Sequence, residues 1–164
     1  MKPSLVIEPL NKKHNRSDFQ CGVESLNHYL KSLANQDIKR RVTRLFIATR
    51  PDKPSTVLGY YTLSSISIAL SSLPEVHARK LPKYSIPCAL IGRLAVNAQY
   101  QRCGVGKMLL VDAIKRTLSI SNEIGVYAVV VDAIDEKAAD FYSSYGFEPL
   151  CREKNRLFLP LSSL

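Results

Sequence analysis

Val126-Tyr127-Ala128-Val129-Val130-Val131 is the longest uninterrupted apolar stretch in the chain. It is rich in valine and lacks the polar alternation of a half-solvated strand. Extended to Ala133, it reads as a strand buried on both faces. Such a strand demands a sheet with helices against it. The stretch is far too short to cross a bilayer. A chain of 164 residues, 46% apolar and 23% charged, can bury one full core and is unlike a disordered protein. We read residues 1–164 as a single domain.

The flanking segments carry strand and helix signals in turn. Leu5–Ile7, Leu45–Ala48, Val57–Ala69 and Ala89–Val96 read as strands. The second and third are joined antiparallel through the turn Pro51-Asp52-Lys53-Pro54. After an opening turn at Cys21-Gly22, Val23, Leu26, Leu30, Leu33, Ala34 and Ile38 recur at helical spacing. Leu110, Ala113, Ile114, Thr117 and Leu118 form a second helical stripe, widened at its start by Val105, Met108 and Leu109. Leu73–Pro87 reads as an exposed connection holding about one helical turn. Glu136–Tyr145 reads as a short helix closed by Gly146, with Phe147–Leu150 and Arg156–Leu161 as two edge strands. The order is mixed α+β, one sheet with helices on both sides.

Cys21, Cys88, Cys103 and Cys151 form no C-x-x-C pair, and no histidine stands at metal-ligand spacing from them. We expect four reduced, mostly structural thiols and no metal site. Met1-Lys2-Pro3-Ser4 precedes only a few apolar residues before Glu8, so no secretory leader is legible and a cytoplasmic location is expected. Lysine and arginine number 23 against 14 acidic residues, a net +9. The cations cluster at Lys12–Arg16, Lys39–Arg44, Arg79–Lys83, Lys115–Arg116 and Arg152–Arg156, the pattern of a folded basic face. Such a face attracts nucleic acid, a phosphorylated cofactor or an acidic partner.

Chemistry concentrates where Arg93-Leu94-Ala95-Val96 leads, after a short spacer, to Gln101-Arg102-Cys103-Gly104-Val105-Gly106-Lys107. A strand feeds a glycine-bearing loop that opens directly into a helix. Unpaired N–H groups and the positive end of the helix dipole then face one place, which suits phosphate. Arg102 and Lys107 add charge there. Asp135, Ala138, Phe141-Tyr142 and Gly146-Phe147 follow downstream at fixed spacing.

Together these residues resemble the GNAT acetyltransferase family, over about Leu45 to Phe158. The resemblance implies a mostly antiparallel central sheet in which the strand of Leu94-Ala95-Val96 splays from the Val126–Ala133 strand. Acetyl-CoA is the implied co-substrate. Its pantetheine arm would pair with the main chain of Leu94–Val96, and Gln101–Lys107 would cradle its diphosphate. Asp135 stands where the family usually has asparagine. From the residues alone, Tyr142 reads as an aromatic packed beside Phe141 and Phe147, with Tyr145 as a nearby competitor. The resemblance makes Tyr142 the general acid, a phenol that lends its proton or a hydrogen bond to the departing sulfur.

The acceptor is suggested by what is missing. Many relatives in the family place a glutamate base on the strand before the loop, and Ala89–Val96 contains no carboxylate. Asp132 and Asp135 are the nearest candidates. A lysine amine, with pKa about 10.4, needs such a base, whereas an α-amine titrates at about 7.7–8.0 and is already partly neutral at cellular pH.

Phe19, Cys21-Gly22, Leu26-Asn27 and Tyr29-Leu30, with Leu58–Leu63 and Ile91–Val96, extend the resemblance to the acetyltransferase toxins of bacterial toxin–antitoxin pairs. That implies acetylation of the amino acid on charged tRNA, a ribbon–helix–helix antitoxin and a homodimer. Arg79, Lys80, Lys83 and Arg93 then become candidates for the tRNA acceptor end, although the first three read equally as a solvated basic loop. Arg93, inside an apolar strand, needs an anion or a structural partner such as Asp132. His14, His28 and His77 receive no role. Two other functions stay open: acetylation of a protein or small-molecule amine, and a non-catalytic CoA-binding regulatory module.

Overall fold

The computed structural model describes residues 4–164, with Lys154 described by its backbone alone. Met1-Lys2-Pro3, on which the expectation about a leader rests, lies outside the described residues. The strands are β1 (Val6–Pro9), β2 (Arg44–Thr49), β3 (Gly59–Ile68), β4 (Ile86–Val96), β5 (Ala128–Asp132), β6 (Glu148–Leu150) and β7 (Glu153–Pro160). The α-helices are α1 (Glu24–His28), α2 (Ala34–Lys39), α3 (Glu75–Ala78), α4 (Val105–Ile120) and α5 (Glu136–Ser143). The strand order is β1-β2-β3-β4-β5-β7-β6, mostly antiparallel with β4–β5 as a parallel pair. This is the expected mixed α+β class. Contacts divide the chain into two compact units.

The first unit holds the chain up to Ser64 together with Gly92–Lys115. Here β1 pairs antiparallel with β2, and β2 with β3 from Arg44↔Leu63 to Ala48↔Gly59. Its core gathers Phe19, Leu26, Tyr29, Leu30, Ala34, Leu45, Ile47, Tyr60 and Ala95. The helical stripe beginning at Val23 is real but not uniformly α. Tyr29–Leu33 form a π-helical turn between α1 and α2. The wider turn carries Leu33 outward to 42% exposure and leaves Ala34 facing the core.

Helix α4 lies close over β3 because of Gly59. A Cβ there would stand 2.7 Å from the Ala95 carbonyl oxygen and 2.9 Å from Leu109 Cδ1. Val105, Leu109, Leu110 and Ala113 supply the buried face of the helix.

The second unit holds Ser65–Ile91 and Arg116–Leu164. The expected strand through Val129–Val131 is fully buried. It pairs in parallel with β4 from Cys88↔Ala128 to Ile91↔Val131 and antiparallel with β7 from Ala128↔Pro160 to Asp132↔Arg156. That second pairing corrects the expectation of two edge strands: β7 lies between β5 and β6. The signal is Leu157-Phe158-Leu159, three consecutive residues at most 5% exposed, which only an interior strand can bury. Thr117 faces inward while Leu118 is 36% exposed, so the stripe turns outward near the end of α4.

Cys21 and Cys88 are buried, and burial raises both thiols, Cys88 to about 11. Cys103 and Cys151 are exposed and also free, so only half of the thiols are packing residues. Among the described residues no helix is long and apolar enough to cross a membrane, and no cluster of three or more His, Cys, Asp or Glu can hold a metal.

Candidate active site

In the first unit the end of β4 is fixed before its loop begins. Asn97 donates its backbone N–H to Leu58 O at 2.7 Å and its side-chain amide to Val57 O at 3.2 Å. Its Oδ1 accepts from the Gln99 N–H. Ala98 N–H reaches Gln20 O at 2.7 Å, and Gln101 Nε2 donates to Cys21 O and Val96 O, each at 3.1 Å. The Gln20–Gly22 turn that braces the loop is itself held by buried Asn27, whose Oδ1 accepts the Cys21 N–H at 2.9 Å. The Gln101 side chain therefore ties the loop down. Its expected cofactor role is left to its backbone.

Arg102 and Gly104 both adopt left-handed backbone angles, φ 66° and 83°. These swing the chain into α4 within a few residues. Nothing lies within 4 Å of where a Gly104 Cβ would stand, so glycine serves the backbone angle there. Met108 N–H donates back to Gly104 O at 3.1 Å. Ahead of it, the N–H groups of Val105, Gly106 and Lys107 have no carbonyl of their own helix to accept them. Val105 itself is buried and anchors the turn, while Arg102, Cys103 and Lys107 are exposed around its mouth. A positive helix end, two flanking cations and open space fit a diphosphate.

Strand β4 runs on through Gly92 to Val96, five residues beyond the last parallel pair, Ile91↔Val131. Ala95 is buried, whereas Leu94 and Val96 are half-buried. Arg93, on the same stretch, lays its guanidinium 3.5 Å from the centroid of the Tyr29 ring. The Tyr29 hydroxyl donates to Asp37 at 2.8 Å, and burial followed by that bond pushes the phenol up to about 12. Arg93 forms no ion pair among the described residues. Asp132, its expected alternative partner, is taken by Arg156 through bonds of 2.7 and 3.2 Å.

In the second unit Tyr142 is 4% exposed, packed 5.3 Å from the Phe141 ring and 5.7 Å from that of Phe147. Burial, with the Asp132 charge second, raises its phenol well above the ordinary value of 10. It is a neutral hydrogen-bond donor at any physiological pH. Tyr145, the competitor, is 37% exposed. Asp135 caps α5, its Oδ1 accepting the Ala138 N–H at 2.8 Å. Both carboxylates considered as bases are thus engaged, one in an ion pair and one in a cap. Arg79, Lys80 and Lys83 lie exposed at and after the end of α3, and none forms an ion pair among the described residues.

Sequence reasoning passed over Asn97 and the Arg93–Tyr29 pair. Asparagine directly after a strand is a turn and capping signal that could have marked the first. The second joins residues distant in sequence and had no local signal.

The acetyltransferase (GNAT) domain matches residues 44–149. A probable toxin TacT of Sinorhizobium fredii is 34% identical, over 97% of this chain and 92% of its own. The structure of AtaT complexed with acetyl-methionyl-tRNAfMet superposes with a TM-score of 0.91 at 34% identity, covering 98% of this chain and 96% of that one. A mutant AtaT toxin bound to the C-terminus of the antitoxin AtaR and acetyl-CoA gives a TM-score of 0.82 at 32% identity, over 97% and 94% of the two chains.

Proposed function

Because the chain belongs to the GNAT acetyltransferase family, we propose that it moves the acetyl group of acetyl-CoA onto the α-amino group of aminoacyl-tRNA and so blocks translation. The observation that carries this reading is the likeness to AtaT with its acetylated tRNA, which spans nearly the whole of both chains. That span includes the segment ahead of the GNAT match, where Asn27 and Tyr29 brace the loop and Arg93.

Acetyl-CoA supplies the activated acetyl thioester. The backbone donors of Gln101–Lys107, with the Arg102 and Lys107 side chains, hold the diphosphate, and the main chain of Leu94–Val96 lies along the pantetheine. Tyr142 gives a hydrogen bond to the departing sulfur. Its raised pKa favours that bond over full transfer, because the thiol formed has a pKa of only about 8.5. No carboxylate stands on β4, and Asp132 and Asp135 are engaged in an ion pair and a helix cap, which favours an acceptor that arrives already deprotonated. An α-amine near pKa 7.7–8.0 meets that need. Arg93, Arg79, Lys80 and Lys83 contact phosphates of the acceptor end, giving affinity and salt dependence. A ribbon–helix–helix antitoxin restrains the enzyme, a homodimer acting in the cytoplasm.

Labelled acetyl-CoA offered with charged and uncharged tRNA tests this. Label is expected on the charged RNA alone. Label on a protein or polyamine would overturn the substrate, and coenzyme A binding without any transfer would make the chain a regulatory module.

A further inference from the structure

The second unit contains an open cavity of about 810 Å3 below α3. Its walls include Leu70, Leu73 and Ala78, with Lys83 and Tyr84 on the connection into β4. Tyr84 is 66% exposed, the most exposed of the large hydrophobic residues among those described, although it belongs to a cavity wall. An exposed aromatic ring continuous with an apolar recess and rimmed by charge has the make-up of a binding groove. The surrounding charge says what. Arg79, Lys80 and Lys83 lie on this short segment without ion-pair partners among the described residues, against one carboxylate on the wall, Glu75. A flat apolar face flanked by unpaired cations matches an unpaired nucleotide, with a base to stack and phosphates on either side.

We propose that this cavity receives an unpaired nucleobase of the tRNA acceptor end, stacked on the Tyr84 ring, with Lys83, Arg79 and Lys80 on the adjoining phosphates. This rests on the reading of charged tRNA as substrate. Stacking tolerates any base, so Tyr84 adds grip on a single-stranded end without choosing a sequence. The recess is much larger than one base, which leaves room for the neighbouring sugar.

The test uses tRNA carrying 2-aminopurine in its unpaired acceptor end, a probe whose fluorescence falls on stacking. The wild-type protein is expected to quench it, Tyr84→Phe to quench it equally, and Tyr84→Ala to leave it bright. In steady-state transfer, Tyr84→Ala is expected to raise KM for charged tRNA on the order of tenfold with little change in kcat. Acetyl-CoA affinity by calorimetry, unchanged in both variants, verifies folding. Equal quenching and equal KM in Tyr84→Ala overturn the assignment while leaving the substrate reading intact. A Tyr84→Ala protein that loses only antitoxin binding also overturns it, in favour of a protein occupant. Wild-type protein that transfers nothing to charged tRNA overturns the substrate reading itself.

Discussion

The Arg93 guanidinium stacks 3.5 Å from the centre of the Tyr29 ring, and that ring is held by a hydrogen bond to Asp37. A flat cation on an aromatic face keeps its N–H edge pointed outward for an anion, which a lysine ammonium does not reproduce. Arg93→Lys is therefore expected to raise KM for charged tRNA by about tenfold and to lower stability by about 1 kcal/mol. Tyr29→Phe, which keeps the face, should leave the KM near wild type. Kinetics and urea unfolding of the two variants check this.

Tyr29 also sets an alkaline limit. Its folded-state pKa is pushed up to about 12, while an unfolded tyrosine titrates at about 10. The folded state holds its proton longer, so this contribution is whole below pH about 10 and drains away as pH rises toward 12. Urea midpoints measured from pH 8 to 11.5 are expected to fall less steeply in Tyr29→Phe than in wild type.

Gly59→Ala places a methyl group 2.7 Å from a backbone oxygen of β4 and 2.9 Å from Leu109. A carbonyl cannot swing aside as a flexible side chain does. We expect a loss of about 1–3 kcal/mol, seen as a lower unfolding midpoint.

That contact shows where sequence reading reached and where it stopped. Gly59 sat in a motif matched by pattern, but the reason for glycine there comes from the Ala95 carbonyl of β4 and from Leu109 of α4, which no local signal places against β3. Strands and helices were legible because Val129–Val131 and the α4 stripe carry their periods in short windows. The apolar run Leu157–Leu159 was read as a strand, but its interior place was missed because the pairing with β5 on one side and β6 on the other joins segments that no local pattern links. The phosphate loop was legible as strand, glycines and helix in succession. Its bracing was not, since Asn97 reaches back 39 and 40 residues to Leu58 and Val57, and Ala98 and Gln101 reach back 78 and 80 residues to Gln20 and Cys21.

Tyr142→Phe removes the hydroxyl from a packed ring and little else. Turnover should fall about a hundredfold or more, with acetyl-CoA affinity unchanged by calorimetry. Because the Tyr142 phenol is raised above 10, its ionisation cannot close the alkaline side of the profile below that pH. The wild-type kcat/KM is expected to climb as the α-amine loses its proton near pH 7.7–8.0 and then level off. A descending limb between pH 8 and 10 would count against Tyr142 as the donor.

Asp135→Ala deletes the cap of α5 and should cost about 1 kcal/mol. Asp135→Asn retains an oxygen acceptor for the Ala138 N–H. It should match wild type in thermal unfolding, separating the cap from any effect of charge.

The irregular turn at Tyr29–Leu33 works as a phase setting. Each α-helical residue advances the spiral by about 100°, and a residue in the wider turn by less, so its five residues cover about the angle of four regular ones. Deleting Leu33 would therefore let regular helix form with Leu26, whose carbonyl receives the Tyr60 hydroxyl, and Asn27, which grips the Cys21 turn, still nearly in phase with Ala34. The same deletion inside α2 would instead rotate the residues on its two sides out of step, so the turn is where this spiral tolerates a change of length.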